Sequence, residues 1–509
     1  MSFVPYAALW ILMVAAAGIC LPAGRRPRLP IVISIAATLV AFGLWALFRP
    51  AVDTPALAFA GRQWAIGEVG WSLTGIVLLV LLSASVHALI SPELLDSTRH
   101  AALSLGATAA ALPAIWAADE RTRIMGVTVF AVAGALAWGF GAVSAGANWR
   151  ARLGDSSGPL MAVFPLWAAA VLPDGRLSLL LSMAGAAVLM GVWPFGGWPR
   201  GDESGPLAIL LNGLPVAVGA AVLAATLSGT LPTAIELAAA TAIGLLSLLF
   251  GLGRAWRQPA AMPRALGLGL AGLAFATALW VGPQALSVAA RLAVFAPLLL
   301  AMVFSTRDTP SPEPGHVDAP RRRQVSPGLI AIIAVLAAVV GLPLTAGWET
   351  LASLYEAWRA AGGWILLLVS LVLMTLWAAT LYQLSRSLTR AGTSPRALWF
   401  RALAFAPPII GLLSLDFAAA NTGLITWAAL FVPAVAGLLL GHFAPPVETV
   451  GDLFGEAVRL PQSAATLAPR LRRAGRAATD ALADALAILE GDNGLLWLLG
   501  LLLLLIWIA

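Results

Sequence analysis

The sequence contains no lysine, a single cysteine, four histidines and only 11% charged residues. With Cys20 as the one thiol, a disulfide framework and a cysteine-ligated metal site are ruled out. The histidines are scattered along the chain, so we expect no metal site and no cofactor. All 30 basic residues are arginines, and they form no basic patch in a soluble module. We therefore expect no nucleic-acid partner.

Long apolar runs are what the sequence contains instead. Hydrophobic residues make up 60% of the chain, and the mean hydropathy of +0.91 is far above that of a soluble domain. At ~20 apolar residues per span, these runs predict about 14–16 transmembrane helices. No basic residue precedes the first run, so we expect it to be kept rather than cleaved as a signal peptide. The predicted fold class is an all-α polytopic membrane protein embedded in the lipid bilayer.

The arginines fall unevenly between the two sides of the membrane that these spans define. If the N-terminus lies outside, 23 of the 30 arginines lie inside, six lie outside and one, Arg291, lies within a span. Cytoplasmic loops carry an excess of basic residues, so this bias supports the assignment of spans. We predict a multi-pass protein of the inner (plasma) membrane with both termini outside.

Two of the predicted spans are interrupted by proline and glycine. One break has the sequence VWPFGGWP around Pro194, and the other has the sequence GLPLTAGW around Pro343. Such breaks free backbone groups that lipid cannot satisfy, so they persist only where protein or water covers them. Breaks at corresponding positions of two halves point to a transport path near the membrane midplane. We expect both breaks to be packed inside the protein, although a chain with 34 prolines also breaks some helices by chance.

Few ionisable side chains fall inside the predicted spans, where each costs about 2.5–3.5 kcal/mol. Arg291 lies mid-span, Glu236 lies one turn inside its span, and Glu349 and Glu356 follow the second break. These four residues are the candidates for an ion path. For Glu236, the competing interpretation is a side chain that reaches the membrane surface.

The mid-span arginine also has two interpretations. Arg291 is either functional or structural, and in the structural case it pairs with Glu349 or donates to carbonyls freed at the Pro343 break. It cannot relay protons, because an arginine does not release its proton near neutral pH. We expect its side chain to point into the bundle and to find an acceptor there.

The break motifs resemble those of a known family. The segment PFGGWP from Pro194, followed by DESGPL from Asp202, is similar to the proline-phenylalanine-histidine, tryptophan and proline-aspartate signature of the antiporter-like membrane subunits. Respiratory complex I, Mrp cation/proton antiporters and membrane-bound hydrogenases share these subunits. The segment from Gly341 to Trp348 resembles the family's second break, and RLAVF from Arg291 resembles its lysine-alanine-leucine-leucine-phenylalanine run. The resemblance extends over nearly the whole chain.

The resemblance implies a fold and a kind of partner. It implies two inverted five-helix repeats, each containing a broken helix, and it implies other membrane subunits of a multisubunit complex as partners. The expected domains are N-terminal helices with an external hairpin (1–98), a first antiporter-like repeat (99–230), a second antiporter-like repeat (231–386), C-terminal helices (387–444), and an inner-surface amphipathic helix with a terminal anchor (445–509).

The positions that carry the family's proton chemistry depart from its pattern. By the resemblance, four titratable residues of the family fall on apolar positions of this chain: Val129, Leu189, Val216 and Leu351. The family's histidine after proline-phenylalanine becomes Gly196, and the lysine at the start of its tenth span becomes Arg264. Each apolar replacement removes a group that could exchange a proton.

Two functions remain open, and neither predicts a catalytic residue. The chain is an antiporter-like, proton-conducting type of subunit of a complex I, hydrogenase or Mrp-like assembly, resembling the proton-pumping subunits of NADH-quinone oxidoreductase but with most relay residues lost. Alternatively, it is a degenerate, non-conducting scaffold subunit of the same complex. In either case it would be a non-catalytic part of such a translocase. A flippase or membrane glycosyltransferase would need a charged central cavity or a large external loop with carboxylates, and the sequence shows neither.

Overall fold

The computed structural model describes residues 3–20, 28–50, 57–59, 61–90, 98–141, 157–172, 175–195, 206–228, 231–305, 327–388, 395–413 and 423–443. The predicted amphipathic helix and terminal anchor at 445–509, and a Pro- and Arg-rich loop at 306–325, lie outside these residues.

Sixteen α-helices make up most of this described part. They are α1 (Val4–Cys20), α2 (Leu29–Leu47), α3 (Glu68–Ile90), α4 (Thr98–Trp116), α5 (Glu120–Gly141), α6 (Ser157–Val171), α7 (Arg176–Met190), α8 (Pro206–Leu227), α9 (Ala234–Arg257), α10 (Met262–Val281), α11 (Pro283–Ser305), α12 (Pro327–Val339), α13 (Ala346–Ala360), α14 (Trp364–Leu388), α15 (Pro395–Leu412) and α16 (Leu424–Phe443). The predicted span that contains Pro343 is divided into two helices, α12 and α13, by its break.

The lengths and composition of these helices fit a membrane. Eight of the described helices have at least 18 residues and are apolar enough to cross a bilayer, and six shorter helices of 10–17 residues are also apolar. An α-helix satisfies most of its backbone polar groups internally, which is the requirement that hydrocarbon imposes. The prediction of an all-α polytopic membrane protein is therefore confirmed.

The centre of the described bundle is formed by α3, α8, α10 and α11. In α8, 83% of the apolar stretch Leu210–Leu227 is buried inside the protein. In the apolar stretch of the peripheral α2, only 33% is buried. Small residues let central helices approach closely, and a methyl group at Gly244 of α9 would lie 3.1 Å from Cβ of Ala276 in α10. Any site between α8, α10 and α11 is therefore lined by the most buried helices of the described part.

A short hairpin connects α2 and α3. Strand β1 (Leu57–Phe59) pairs antiparallel with β2 (Arg62–Trp64), and Gly61 provides the left-handed residue of the turn. The amide of Ala65 donates to Trp116 O at 2.9 Å, which ties the hairpin to the end of α4. Asp119 fixes the start of α5 by accepting from the amide of Thr122 at 2.8 Å.

Candidate functional site

The first break ends α7 in a Schellman motif. Gly191 has the left-handed φ of 72°, and its amide donates to Val188 O at 3.1 Å. The amide of Val192 reaches back to Ala187 O at 3.0 Å, so the last carbonyls of the helix are satisfied. Pro194 then comes within three residues and prevents the helix from continuing.

The second break repeats this geometry at the end of α12. Gly341 has a φ of 71°, its amide donates to Ala338 O at 3.2 Å, and the amide of Leu342 donates to Ala337 O at 2.8 Å. Pro343 comes directly after. The chain then restarts as α13, whose N-cap Thr345 accepts from the amide of Trp348 at 3.3 Å.

The prolines themselves are more exposed than we expected. Gly191, Val192 and Gly341 are buried, but Pro194 and Pro343 are exposed. The physical reason lies in the missing amide: a proline has no N–H, so its exposure leaves no donor unpaired. Protein covers the glycine ends of the breaks, where the backbone turns.

A cavity lies beside the first break, between the two halves of the chain. Its empty volume is about 610 Å³, including the part open to the outside. The walls come from the end of α7, the middle of α8, the first turns of α10 and the second half of α11. The lining residues are Leu189, Met190, Gly191, Asn212, Gly213, Pro215, Val216, Pro263, Arg264, Gly267, Leu268, Ala293, Val294, Pro297, Leu298 and Ala301.

Three positions that the resemblance maps to titratable groups meet in this cavity. Leu189, Val216 and Arg264 all line it. Arg264 is the one charged side chain of this lining, and the amide of Asn212 donates to Ala208 O at 2.8 Å within its own helix. The other two mapped positions that the structure describes lie elsewhere: Val129 is half-buried in α5 and Leu351 is buried in α13.

Prolines inside α8 and α11 give the cavity some polarity. Pro215 and Pro297 have no amide to donate, so the carbonyls four residues earlier, including that of Ala293, have no intrahelical partner. Water can occupy a cavity of this kind where it finds two or more polar partners. Backbone carbonyls can hold such water, but they cannot take up or release a proton near neutral pH.

Arg291 lies in the middle of α11 and acts as a clamp on carbonyls. Its Nε donates to Gly411 O at 3.1 Å, and its Nη2 donates to Leu413 O. These acceptors are at the C-terminal end of α15 rather than at the Pro343 break, which was one of the two places where we expected them. A cation suits this place, because the last carbonyls of a helix carry partial negative charge.

The clamp nevertheless contacts the second break indirectly. Leu413 forms an antiparallel bridge with Thr345, the N-cap of α13. Glu349 in the first turn of α13 is half-buried and interacts electrostatically with Arg291. The structure thus brings two of the four ion-path candidates together, through the end of α15.

Glu236 has a local structural role that the sequence analysis missed. It forms a capping box at the start of α9, in which the Thr233 amide donates to Glu236 Oε2 at 2.6 Å. Arg176, at the start of α7, donates to both carboxylate oxygens at 2.8 and 2.9 Å. The side chain of Glu236 is 7% exposed, so it does not extend to solvent. The signal that reveals the cap is the sequence Thr-x-x-Glu just before an apolar run.

Glu356 joins the end of α13 to the start of α16. Its Oε1 accepts from the hydroxyl of Thr426 and, at 3.3 Å, from the amide of Gly423. Its Oε2 accepts from Nε of Arg359 at 2.8 Å. A carboxylate at a helix N-terminus meets unpaired amides and the positive end of the helix dipole. Glu356 therefore serves as a cap for α16.

Metal chemistry has no support in the described residues, where no group of three or more His, Cys, Asp or Glu is placed to hold a metal ion.

His87, which the sequence places near the end of α3, is buried, and its Nε2 lies 3.0 Å from Ser305 Oγ.

Comparison with known proteins finds similarity at the level of structure. No family model and no curated protein matches the sequence. A chain of the Mrp complex from Dietzia sp. DQ12-45-1b has a TM-score of 0.69 at 14% identity, and the match covers 98% of this chain and 62% of that one. This chain thus spans less than two thirds of the length of the Mrp chain.

Two further solved structures match. A chain of the membrane-bound sulfane sulfur reductase, an archaeal respiratory membrane complex, has a TM-score of 0.63 at 12% identity, with 98% of this chain and 99% of that chain covered. A chain of respiratory complex I from Thermus thermophilus with bound aureothin has a TM-score of 0.57 at 17% identity, with 85% and 98% covered. The resemblance to the antiporter-like membrane subunits is therefore confirmed for the fold, which this chain shares with chains of an Mrp complex, a sulfane sulfur reductase and a respiratory complex I.

Proposed function

We propose that this chain is an antiporter-like membrane subunit of a multisubunit complex, of the complex I, hydrogenase or Mrp-like kind, and that it does not conduct protons by itself. The observation that carries the proposal is the cavity at the first break. Leu189 and Val216 stand on its wall, and Arg264 is the one charged residue of the lining. Neither an aliphatic side chain nor an arginine exchanges protons near neutral pH.

The candidate charges of the second half support the same conclusion. Glu236 caps α9, Glu356 caps α16, and Arg291 clamps the end of α15. Each of these side chains is held by hydrogen bonds to backbone or side-chain groups. Charges that hold a structure together are poorly suited to a relay, which needs groups that change partners as protons pass.

An active translocator is the second candidate, and one observation favours it. Arg291 interacts electrostatically with Glu349, which is half-buried in the first turn of α13 after the second break. A carboxylate next to a fixed cation is an arrangement that can hold water and a mobile proton. In this version Glu349 takes and releases the proton, and Arg291 sets the local field.

Proton flux in liposomes distinguishes the two candidates. The full chain is reconstituted with a pH-sensitive dye inside the vesicles, a pH gradient is imposed, and a protonophore is added at the end as a positive control. We expect no flux above that of protein-free vesicles. Flux that disappears in Glu349→Gln but persists in Glu68→Gln, an exposed carboxylate paired with Arg49, would establish the translocator instead.

Membership of a complex is tested by purification. The tagged full chain, extracted from its own membrane in mild detergent, should migrate together with other membrane proteins at a mass well above its own 52.5 kDa. Recovery of the chain alone in every mild detergent would contradict the proposal.

The orientation, with both termini outside, also remains a prediction. In a Cys20→Ala background, a cysteine at Ser228 should react with a membrane-impermeant reagent from outside, and one at Arg257 should react only from inside. The reverse pattern would invert the topology.

A further inference from the structure

A polar turn lies next to one end of the cavity. The turn joins α9 to α10 and contains Arg257, Gln258 and a short 3-10 helix, Pro259–Ala261. Non-helical backbone that carries a charged side chain is not placed in lipid hydrocarbon, so we infer that this end of both helices reaches the interface. Arg264 is in the first turn of α10 and lines the cavity. A guanidinium therefore lines the end of the cavity that lies nearest this turn.

The interior of the cavity is long and mainly apolar. Along α11 the wall runs from Ala301 to Ala293, eight residues or about 12 Å of helix. Apart from Arg264 and Asn212, its lining side chains are aliphatic residues, methionine, prolines and glycines. The empty volume of about 610 Å³ includes the part that is open to the outside, so a ligand would lie partly in the cavity and partly beyond it.

This combination of one cation and an apolar cleft selects a class of ligand. A bare inorganic anion would lose its hydration on walls that offer it almost no donors, which is costly. A neutral apolar molecule would gain nothing from Arg264. An amphiphile with an acidic head group and an acyl chain satisfies both parts, because the head group accepts charge-assisted hydrogen bonds and the chain covers the apolar wall.

We propose that this cavity binds an anionic amphiphile, with its acidic head group at Arg264 and part of its acyl chain along Pro297 and Leu298 of α11. The source is either an anionic phospholipid of the surrounding leaflet or a free fatty acid. Arg264 also interacts within the chain, and its guanidinium, with five N–H donors, serves both partners. The site does not depend on whether the chain conducts protons.

Native mass spectrometry of the full chain in detergent tests the proposal. Dioleoylphosphatidylglycerol and dioleoylphosphatidylcholine are offered at equal concentration, and bound lipid is counted. We expect one tightly held phosphatidylglycerol, and in Arg264→Gln we expect its affinity to fall about tenfold, the effect of one lost charge-assisted hydrogen bond. Phosphatidylcholine should bind weakly to both forms.

Two further variants separate this site from general surface charge. Arg257 is exposed on the same polar turn but does not line the cavity, so Arg257→Gln should bind phosphatidylglycerol as the unchanged protein does. At Gly267 a methyl group would lie 3.4 Å from Pro297 Cγ, an ordinary contact, so the larger side chain of Gly267→Leu extends into the cavity and should lower binding. If this variant is unstable, Ala301→Leu fills the cavity from α11.

Oleate, added as a competitor, shows whether the bound amphiphile is an anionic phospholipid or a free fatty acid. Displacement of phosphatidylglycerol by oleate supports one site for either amphiphile, and oleate binding without phosphatidylglycerol binding supports the fatty acid. Equal loss in Arg264→Gln and Arg257→Gln, or full binding in the cavity-filling variants, would overturn the proposal.

Discussion

The two helix breaks end their helices in the same way, but the space beyond each break is different. At Gly191 and at Gly341 the backbone turns through the same left-handed residue, and the same pair of hydrogen bonds closes the helix. Beyond Gly191 lies an open cavity. Beyond Gly341 the space is filled, since a methyl group there would lie 3.0 Å from both Leu351 and Leu430. A local motif therefore sets the break, and the neighbouring helices decide whether it is open.

The filled break depends on the close approach of α12 and α13, and Gly347→Ala should have the largest effect. The added methyl group would overlap the carbonyl oxygen of Ala338, which is backbone and cannot move aside. We expect the free energy of unfolding to fall by at least about 4 kcal/mol, or the variant to fail to fold. Gly253→Ala in α9, with nothing within 4 Å, is the control and should be nearly neutral. Thermal unfolding in detergent measures both, and similar midpoints would mean that α12 and α13 can separate freely.

The filled break also depends on the clamp at the end of α15, and removing that clamp should have the next largest effect. Arg291→Leu leaves the carbonyls of Gly411 and Leu413 without these donors, which should cost about 3 kcal/mol. Arg291→Lys keeps the charge and should recover part of the loss. In thermal unfolding in detergent, the unchanged protein should have the highest midpoint, Arg291→Lys the next highest and Arg291→Leu the lowest. A leucine variant as stable as the unchanged protein would show that water replaces the side chain.

The smallest expected effect is the difference in stability between alanine substitutions at the two glycines of the breaks. Alanine at a left-handed residue costs about 1–2 kcal/mol, and this cost applies at both Gly191 and Gly341. At Gly341 the side chains of Leu351 and Leu430 must also give way, so Gly341→Ala should be the more destabilising of the two. Unfolding midpoints measured side by side decide this. The opposite order would mean that the first break is the more tightly packed one.

Sequence reasoning predicted the helices and breaks because their signals are local. Apolar runs of sufficient length and the Gly-x-Pro pattern at Gly341 act within a few residues. The capping box of Glu236 also has a local signal, the Thr-x-x-Glu pattern that begins at Thr233, although the sequence analysis did not use it. The acceptors of Arg291 were not readable, since Gly411 lies 120 residues further along the chain. The cavity was not readable either, because four separate helices form it.

The contacts of Arg291 and Glu356 bear on where the chain can be cut. The boundary expected at residue 386 separates the second repeat from the C-terminal helices. Yet Arg291 finds its acceptors on α15, and Glu356 finds Thr426 on α16, beyond that boundary. Glycines of α16 also pack on α14, where a methyl group at Gly437 would lie 2.9 Å from Thr375 O. A fragment ending at residue 386 would lose both acceptors of Arg291 and would leave Glu356 with Arg359 alone. We therefore expect such a fragment to fold poorly, and an expression design for this region should extend through Phe443.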